Sequence, residues 1–247
     1  IKNNNIDFLD FGCSKGGSLE FAKKYLGGLK GLGIDIDDAK IKETKLLGHD
    51  AINYDINNIP NKKMVRFCIL SHFLEHVPNL SDVRSFVNKA CSISKDFVYI
   101  QQPYFDADSY LFKKGLKLFW SDWHGHPNRM TSLDIHLLLR DLAKKNEMEW
   151  SILARKKIRN SNDTAVHPIK SDIDQHQYDA MVHPPKDFKI DFEDNVFYET
   201  LTVISFPGYN HNVILNNIKY DHIIFSSNEQ AHIKKQTTLD RLKIMFK

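Results

Sequence analysis

Cysteine is scarce: Cys13, Cys68 and Cys91 are the three in 247 residues, and no two are paired in spacing. That excludes a disulfide framework and fits reduced thiols in a cytoplasmic protein. No apolar run approaches the roughly 20 residues that a membrane-spanning helix needs. No signal peptide opens the sequence, and Ile1 stands where an initiator Met is expected, which leaves room for a preceding segment. A strong charge of either sign is missing too: 34 Lys and Arg face 31 Asp and Glu, a net of +3. A binder of nucleic acid or of an anionic membrane is expected to be far more basic. Internal repeats and low-complexity tracts are absent. What remains is an ordinary globular composition, 42% hydrophobic and 26% charged. The 12 His are more informative, because His is the commonest metal ligand and the acid/base of neutral pH.

Short apolar runs alternate with amphipathic stretches. Residues 6–11 (IDFLDF), 31–36 (GLGIDI), 50–56 (DAINYDI), 65–71 (VRFCILS) and 96–103 (DFVYIQQP) read as strands. Helical spacing appears in SLEFAKKYL, in DDAKIKETKLLG up to Gly48, in SDVRSFVNKACSI with Ser81 as cap, and over 131–146 with Thr131 as cap. MEWSILARKKI and FYETLTVISF are two late strands. The alternation predicts an α/β, Rossmann-like doubly wound sheet. Two segments break it: 104–130 is aromatic and irregular, and 160–195 is polar. Loops this long in a domain carry function or are disordered. The expected organisation is one domain over 1–207, with both insertions on the substrate side. An appendage over 208–247, ending in a basic helix-like stretch, would follow.

The most chemical stretch is LSHFLEHV, residues 70–77, with His72, Glu75 and His76. On a helix these spacings share one face. The letters also match the inverted zinc-protease pattern. A protease needs a long helix there, whereas a strand runs directly into this stretch and Pro78 follows it. The Gly-rich turn in FLDFGCSKGGSLEFA joins a strand to a helix start, where backbone can approach a ligand closely. It is not the dinucleotide fingerprint, because Ser14 occupies the second Gly position.

In order and spacing these features resemble the class I S-adenosylmethionine-dependent methyltransferases, over roughly residues 6–103. Asp10, Gly12, Ser14 and Gly16 match the first motif of that family, with Ser14 a departure from Gly. Asp35, followed by Ile36, matches the acidic residue that binds both ribose hydroxyls, and a carboxylate accepts two such bonds. Asp55, followed by Ile56, matches the acceptor of the adenine amine, and Ser71 closes the set at the end of strand four. The resemblance implies a mostly parallel sheet with an antiparallel last strand, and S-adenosylmethionine as cofactor.

A subset of that family carries Glu-x-x-Glu-His where this chain has His72, Glu75 and His76. It resembles the metal-dependent 2′-O-methyltransferases of small-RNA 3′ ends and the O-methyltransferases of ubiquinone synthesis. The small-RNA enzymes add a His five residues before a helix-opening Thr, matched by His126 and Thr131. The implied metal set is His72, Glu75, His76 and His126, with His124 as a close rival for the last place. His in place of the first Glu moves the preference from Mg²⁺ toward Mn²⁺ or Fe²⁺, with Zn²⁺ behind them. A His left free of metal (His72, His76 or His126) would take the hydroxyl proton. Tyr104, Trp123, His124, Arg129, His167 and His183 are the candidate substrate contacts. The expected reaction is O-methylation of a sugar or nucleotide-linked sugar for a surface glycan. RNA 3′-terminal 2′-O-methylation, methylation of a catechol or quinone precursor, and cofactor binding without turnover are the alternatives.

Overall fold

Runs that are apolar along their whole length build the middle of the molecule. Parallel strands covered on both faces have that composition, because neither face meets water. In the computed structural model, which describes residues 5–186 and 189–228, they form β1 (Phe8–Phe11), β2 (Gly31–Asp35), β3 (Ala51–Asn53), β4 (Val65–Ser71) and β5 (Ser94–Pro103). These five are mutually parallel. They alternate with α1 (Gly17–Tyr25), α2 (Asp38–Leu46) and α3 (Leu80–Ile93). After α4 (Asp108–Lys113), β6 (Leu116–Leu118) and α5 (Ser132–Ala143) come β7 (Glu149–Asn160), β8 (Val166–Pro168) and β9 (Asp191–Ser205). The last elements are α6 (His211–Asn217) and β10 (His222–Ser226).

The main sheet has the order β10-β7-β9-β5-β4-β1-β2-β3. β9 runs antiparallel to β5 and β7, and β10 antiparallel to β7. The α/β sheet is therefore mostly parallel, as the resemblance implies, with β9 and β10 as its antiparallel strands. The chain winds outward in both directions from β1 and β4. Their C-terminal ends flank the switch point, where doubly wound sheets open a ligand crevice.

Each face of the sheet carries its own core. On the α1 and α6 side, Phe8, Phe67 and Phe97 stack across three strands, with centroids 4.8 and 4.5 Å apart. On the other side Leu9, Phe11 and Leu70 pack beneath α3 and α5. A third cluster, with Tyr104, Leu118, Trp120 and Phe197, lies under the insertions.

Three expectations need correction. α3 is capped by Asn79, whose side chain accepts from Asp82 N at 3.0 Å, and not by Ser81. Residues 104–130 are irregular only in part, since they hold α4 and β6 before the turns of 119–130. The two insertions also pair with each other, β6 with β8, in a small second sheet. Buried Lys117, paired with Asp122 of its own insertion, ties them further through the Ser171 carbonyl at 2.5 Å. Residues 208–228 are not an appendage, since β10 is a strand of the main sheet; the basic end after them lies outside the described residues. Thr131 caps α5 as expected, with a reciprocal bond from Asp134.

Phe67 is the middle ring of the three-strand stack and is fully buried. Phe67→Ala should lower the unfolding free energy by roughly 3–5 kcal/mol. Urea denaturation measures this, and a loss below about 1 kcal/mol would mean that the stack does not organise this face.

Candidate functional site

The turn after β1 is built from residues that tolerate a left-handed backbone. Gly12 and Gly16 have φ of 69° and 84°. Ser14, at the position where the family carries Gly, is also left-handed at φ 44°. A non-Gly residue pays for that conformation, and here both its backbone groups are held. Ser14 N donates to Asp35 Oδ2 at 3.0 Å, and Ser14 O accepts from Thr44 Oγ1 at 2.6 Å. The serine thus couples the Gly-rich turn to the carboxylate at the end of β2.

Beside the turn lies a cavity of about 340 Å³ lined by Gly12, Ser14, Asp35, Ile36, Asp55 and Ile56. Ile36 is 78% exposed, an apolar side chain turned outward at the rim. Asp55 spends one oxygen on Asn57 N at 2.8 Å. Sequence reasoning missed Tyr54, Phe73 and Phe86, which also line the cavity. Phe73 rests on Gly12, where an added Cβ would lie 2.3 Å from its ring. Phe73 meets Phe86 edge to face at 5.3 Å. Nothing but position, between His72 and Leu74, marks Phe73 in the sequence.

Asp10, Gly16 and Ser71 stand outside this lining. Ser71 pairs with Gln101 at the end of β4, and Gly16 caps α1. Asp10 is completely buried under the turn. Burial pushes its carboxyl up to about 7, against the hydrogen bond from Ser18. Its Oδ1 has no partner. An unsatisfied carboxylate oxygen below a Gly-rich turn, with Asp35 and Asp55 carboxylates beside the cavity, suits a ligand rich in amine and hydroxyl donors.

The second half of the site is a single 3-10 turn, Leu74–His76, directly after β4. Asn128 clamps it: its amide donates to Leu74 O at 3.1 Å and its backbone N to Glu75 O at 3.3 Å. The clamp brings the end of the first insertion over the turn. Glu75, His76 and His126 then present ligand atoms within 4.8 Å of one another. His76 Nδ1 lies 2.6 Å from the Gly125 carbonyl, and His126 Nδ1 lies 3.1 Å from the Trp120 carbonyl. A carbonyl only accepts, so each Nδ1 carries the hydrogen and each Nε2 keeps a lone pair. Burial lowers the pKa of His126, which favours the neutral form that binds metal. Glu75 is 1% exposed and its Oε2 has no partner. Two imidazoles with fixed tautomers and an orphaned buried carboxylate oxygen fit a divalent cation.

His72 stands beside this group. Its φ is 50°, so the chain leaves β4 through a left-handed residue. Tyr99 OH donates to Gln101 Oε1 at 3.1 Å, which turns the Gln101 amide nitrogen toward His72 Nε2 at 3.0 Å. His72 Nδ1 then donates to Glu75 Oε1 at 3.1 Å. Glu199 Oε1 lies 3.9 Å from His72 Nε2 and is itself paired with Arg155 and Lys156.

The remaining predicted contacts divide. Trp123 sits 6.1 Å from the His126 ring, and Arg129 is exposed on the same loop. His124 is turned away, 75% exposed and paired with Asp174 at 2.7 Å. Tyr104 is buried, with its hydroxyl on Asn195 O at 3.4 Å. His167 and His183 are buried against each other, centroids 4.3 Å apart, in the core of the second insertion. Burial also pushes the His167 imidazole down to about 4. These three are interior side chains rather than an open substrate wall. No helix among the described residues is long and apolar enough to cross a membrane.

No family model matches the chain, and no curated protein does. Solved structures do. A SAM-dependent methyltransferase from Archaeoglobus fulgidus is 15% identical, with TM-score 0.53 over 81% of this chain and 85% of that one. The methyltransferase domain of bacterial CtHen1 is 10% identical, with TM-score 0.50 over 81% and 89%. The plantazolicin methyltransferase BpumL, bound to a triazolic desmethyl analogue and SAH, is 16% identical, with TM-score 0.50 over 83% and 79%. At such identities the likeness concerns the fold, and that fold is the Rossmann-like one of class I methyltransferases.

The buried Asp10 makes stability depend on pH. From its ordinary 3.8 to about 7 the folded state keeps a proton that the unfolded chain has released. Stability therefore falls as pH rises through that window and stays reduced above it. Asp10→Asn should be the more stable protein above neutral pH, by at most roughly 4 kcal/mol at ~1.4 per unit. The gap should close toward the acid end, as urea unfolding across the window will measure. An equal gap at both ends would contradict the raised pKa.

Proposed function

We propose that this chain, built on the class I methyltransferase fold, transfers a methyl group from S-adenosylmethionine to a hydroxyl oxygen with the help of a divalent metal. The acceptor in this reading is a sugar or nucleotide-linked sugar of the kind used in surface glycans. The observation that carries the reading is the convergence of Glu75, His76 and His126 beside the cavity that holds Asp35 and Asp55.

In this reading Asp35 accepts from both ribose hydroxyls and Asp55 from the adenine amine, with Ile36 and Ile56 against the base. Asp10, buried beneath the Gly-rich turn, supports that turn where the methionine end would lie. Glu75, His76 and His126 hold the metal, and their imidazole-rich set favours Mn²⁺ or Fe²⁺ over Mg²⁺. When bound, the metal makes a coordinated hydroxyl more acidic and orients it. The chain then supplies alignment and a proton acceptor. His72 is the imidazole outside the triad, with Glu75 at 3.1 Å from its Nδ1 and Glu199 at 3.9 Å from its Nε2. As the O–CH₃ bond forms and the S–CH₃ bond breaks, the hydroxyl proton passes to His72 Nε2, with the Gln101 amide giving way. S-adenosylhomocysteine leaves neutral.

The polar second insertion and the net charge of +3 support a small hydroxyl-rich acceptor. The second reading is 2′-O-methylation of an RNA 3′ end, favoured by the resemblance of the His72, Glu75, His76 and His126 pattern to the small-RNA enzymes. It predicts binding that weakens steeply with salt.

Labelled methyl transfer to a panel of nucleotide sugars, with and without EDTA, tests the proposal. EDTA should abolish transfer and Mn²⁺ restore it. Glu75→Ala and His126→Ala should each weaken Mn²⁺ binding on the order of a hundredfold, while His124→Ala leaves it unchanged. Transfer indifferent to EDTA would remove the metal from the mechanism.

A further inference from the structure

A second cavity, about 570 Å³, opens on the α1 and α6 side of the sheet. Arg155, Lys156, Lys157 and Arg159 enter it from β7, Lys219 from the turn before β10, and Tyr25 from the end of α1. One carboxylate, Asp221, stands among these five cations. A second carboxylate, Glu199, pairs with Arg155 and Lys156, which leaves Lys157, Arg159 and Lys219 as the cations not committed to it. Arg159 and Lys219 are exposed, and neither has an ion-pair partner among the described residues.

The backbone is distorted to build this wall. Lys156 lies inside a strand at φ 60°, a left-handed conformation that side chains rarely adopt. Consecutive side chains of a regular strand point to opposite faces. Arg155 and Lys156 instead both reach Glu199. Strain of this kind persists where function requires it. One ion pair stands between the groove and the reaction centre: Arg155, in the groove wall, pairs with Glu199, which lies 3.9 Å from His72. Arg155 lies 5.8 Å over the Phe21 ring, and Tyr25 follows one helical turn further along α1.

We propose that this groove binds the nucleoside diphosphate portion of the methyl acceptor. The proposal rests on the methyltransferase reading above and names its substrate class. The order of groups fits: sugar at His72, diphosphate along Arg155, Lys157 and Arg159, nucleoside toward Tyr25 and Lys219. Guanidinium groups pair with phosphate oxygens through two bonds at once, and Tyr25 offers a ring to the base. The volume lies within the range of small-molecule sites. The cations are gathered around one cavity, which favours a nucleotide over a nucleic acid.

Calorimetric titration of the full chain with UDP and GDP tests this, with pyrophosphate, a single-stranded RNA oligonucleotide and S-adenosylhomocysteine in parallel. At least one nucleotide should bind, and the double variant Arg159→Ala, Lys219→Ala should weaken it by about tenfold or more. S-adenosylhomocysteine affinity should not change. Tyr25→Ala should weaken the nucleotide and leave pyrophosphate unaffected. No binding of either nucleotide, or binding unchanged in the double variant, overturns the proposal. Pyrophosphate binding as tightly as the nucleotides removes the nucleoside, and displacement by RNA at lower concentration replaces the ligand. Failure of the groove alone leaves S-adenosylhomocysteine binding and EDTA-sensitive transfer intact. Loss of those two instead sinks the methyltransferase reading itself.

Discussion

Glu75 is a carboxyl group almost wholly removed from water, with one oxygen on His72 and the other without a partner. Burying such a group is costly unless something compensates it. The rest of the site is arranged around that demand. The 3-10 turn after β4 aims the side chain inward, and Asn128 fastens the turn to the first insertion. His76 and His126 turn unprotonated nitrogens toward the same point. Tyr99 and Gln101, from the neighbouring strand, set the orientation of His72. A chain of hydrogen bonds thus runs from the core of β5 to the carboxylate, and the sheet itself fixes the geometry of the centre.

His126 reaches that centre only because the insertions are folded. β6 pairs with β8, Lys117 is buried between Asp122 and Ser171, and His167 packs on His183. These contacts make the loop carrying Trp120, Trp123 and His126 a supported wall. The polar letters of the second insertion therefore serve two purposes. Some face solvent, whereas others replace an apolar core beneath the site.

Much of this was legible where the chemistry is local. β4 spans the residues its apolar run predicts, and Thr131 caps α5 because cap and partner lie three residues apart. The Gly-rich turn and the aspartates at strand ends mark the crevice for the same reason. What escaped depends on distance or direction. β6, β8 and β10 are short strands whose partners lie far away in sequence, so no local pattern marks them. Asn79 and Ser81 are both capping residues two positions apart, and only the backbone chooses. Helical spacing places His72 with Glu75 and His76, but the left-handed residue at His72 breaks that periodicity and leaves its ring beside the triad. Letters such as His167 and His183 say polar and do not say which way they point.

β10 has a consequence beyond the site. An unpaired β7 would present a long ladder of free amides and carbonyls to any neighbouring chain. β10 covers its Ser151–Ala154 stretch, and the ladder between the two shifts register between Ile223 and Phe225. Such an irregularity twists a strand and makes it a poor template for further pairing. At the opposite margin β3 is three residues long. Among the described residues the main sheet therefore ends in one margin broken by an irregular strand and one margin only three residues long, both poor templates for the edge-to-edge growth that leads to fibres.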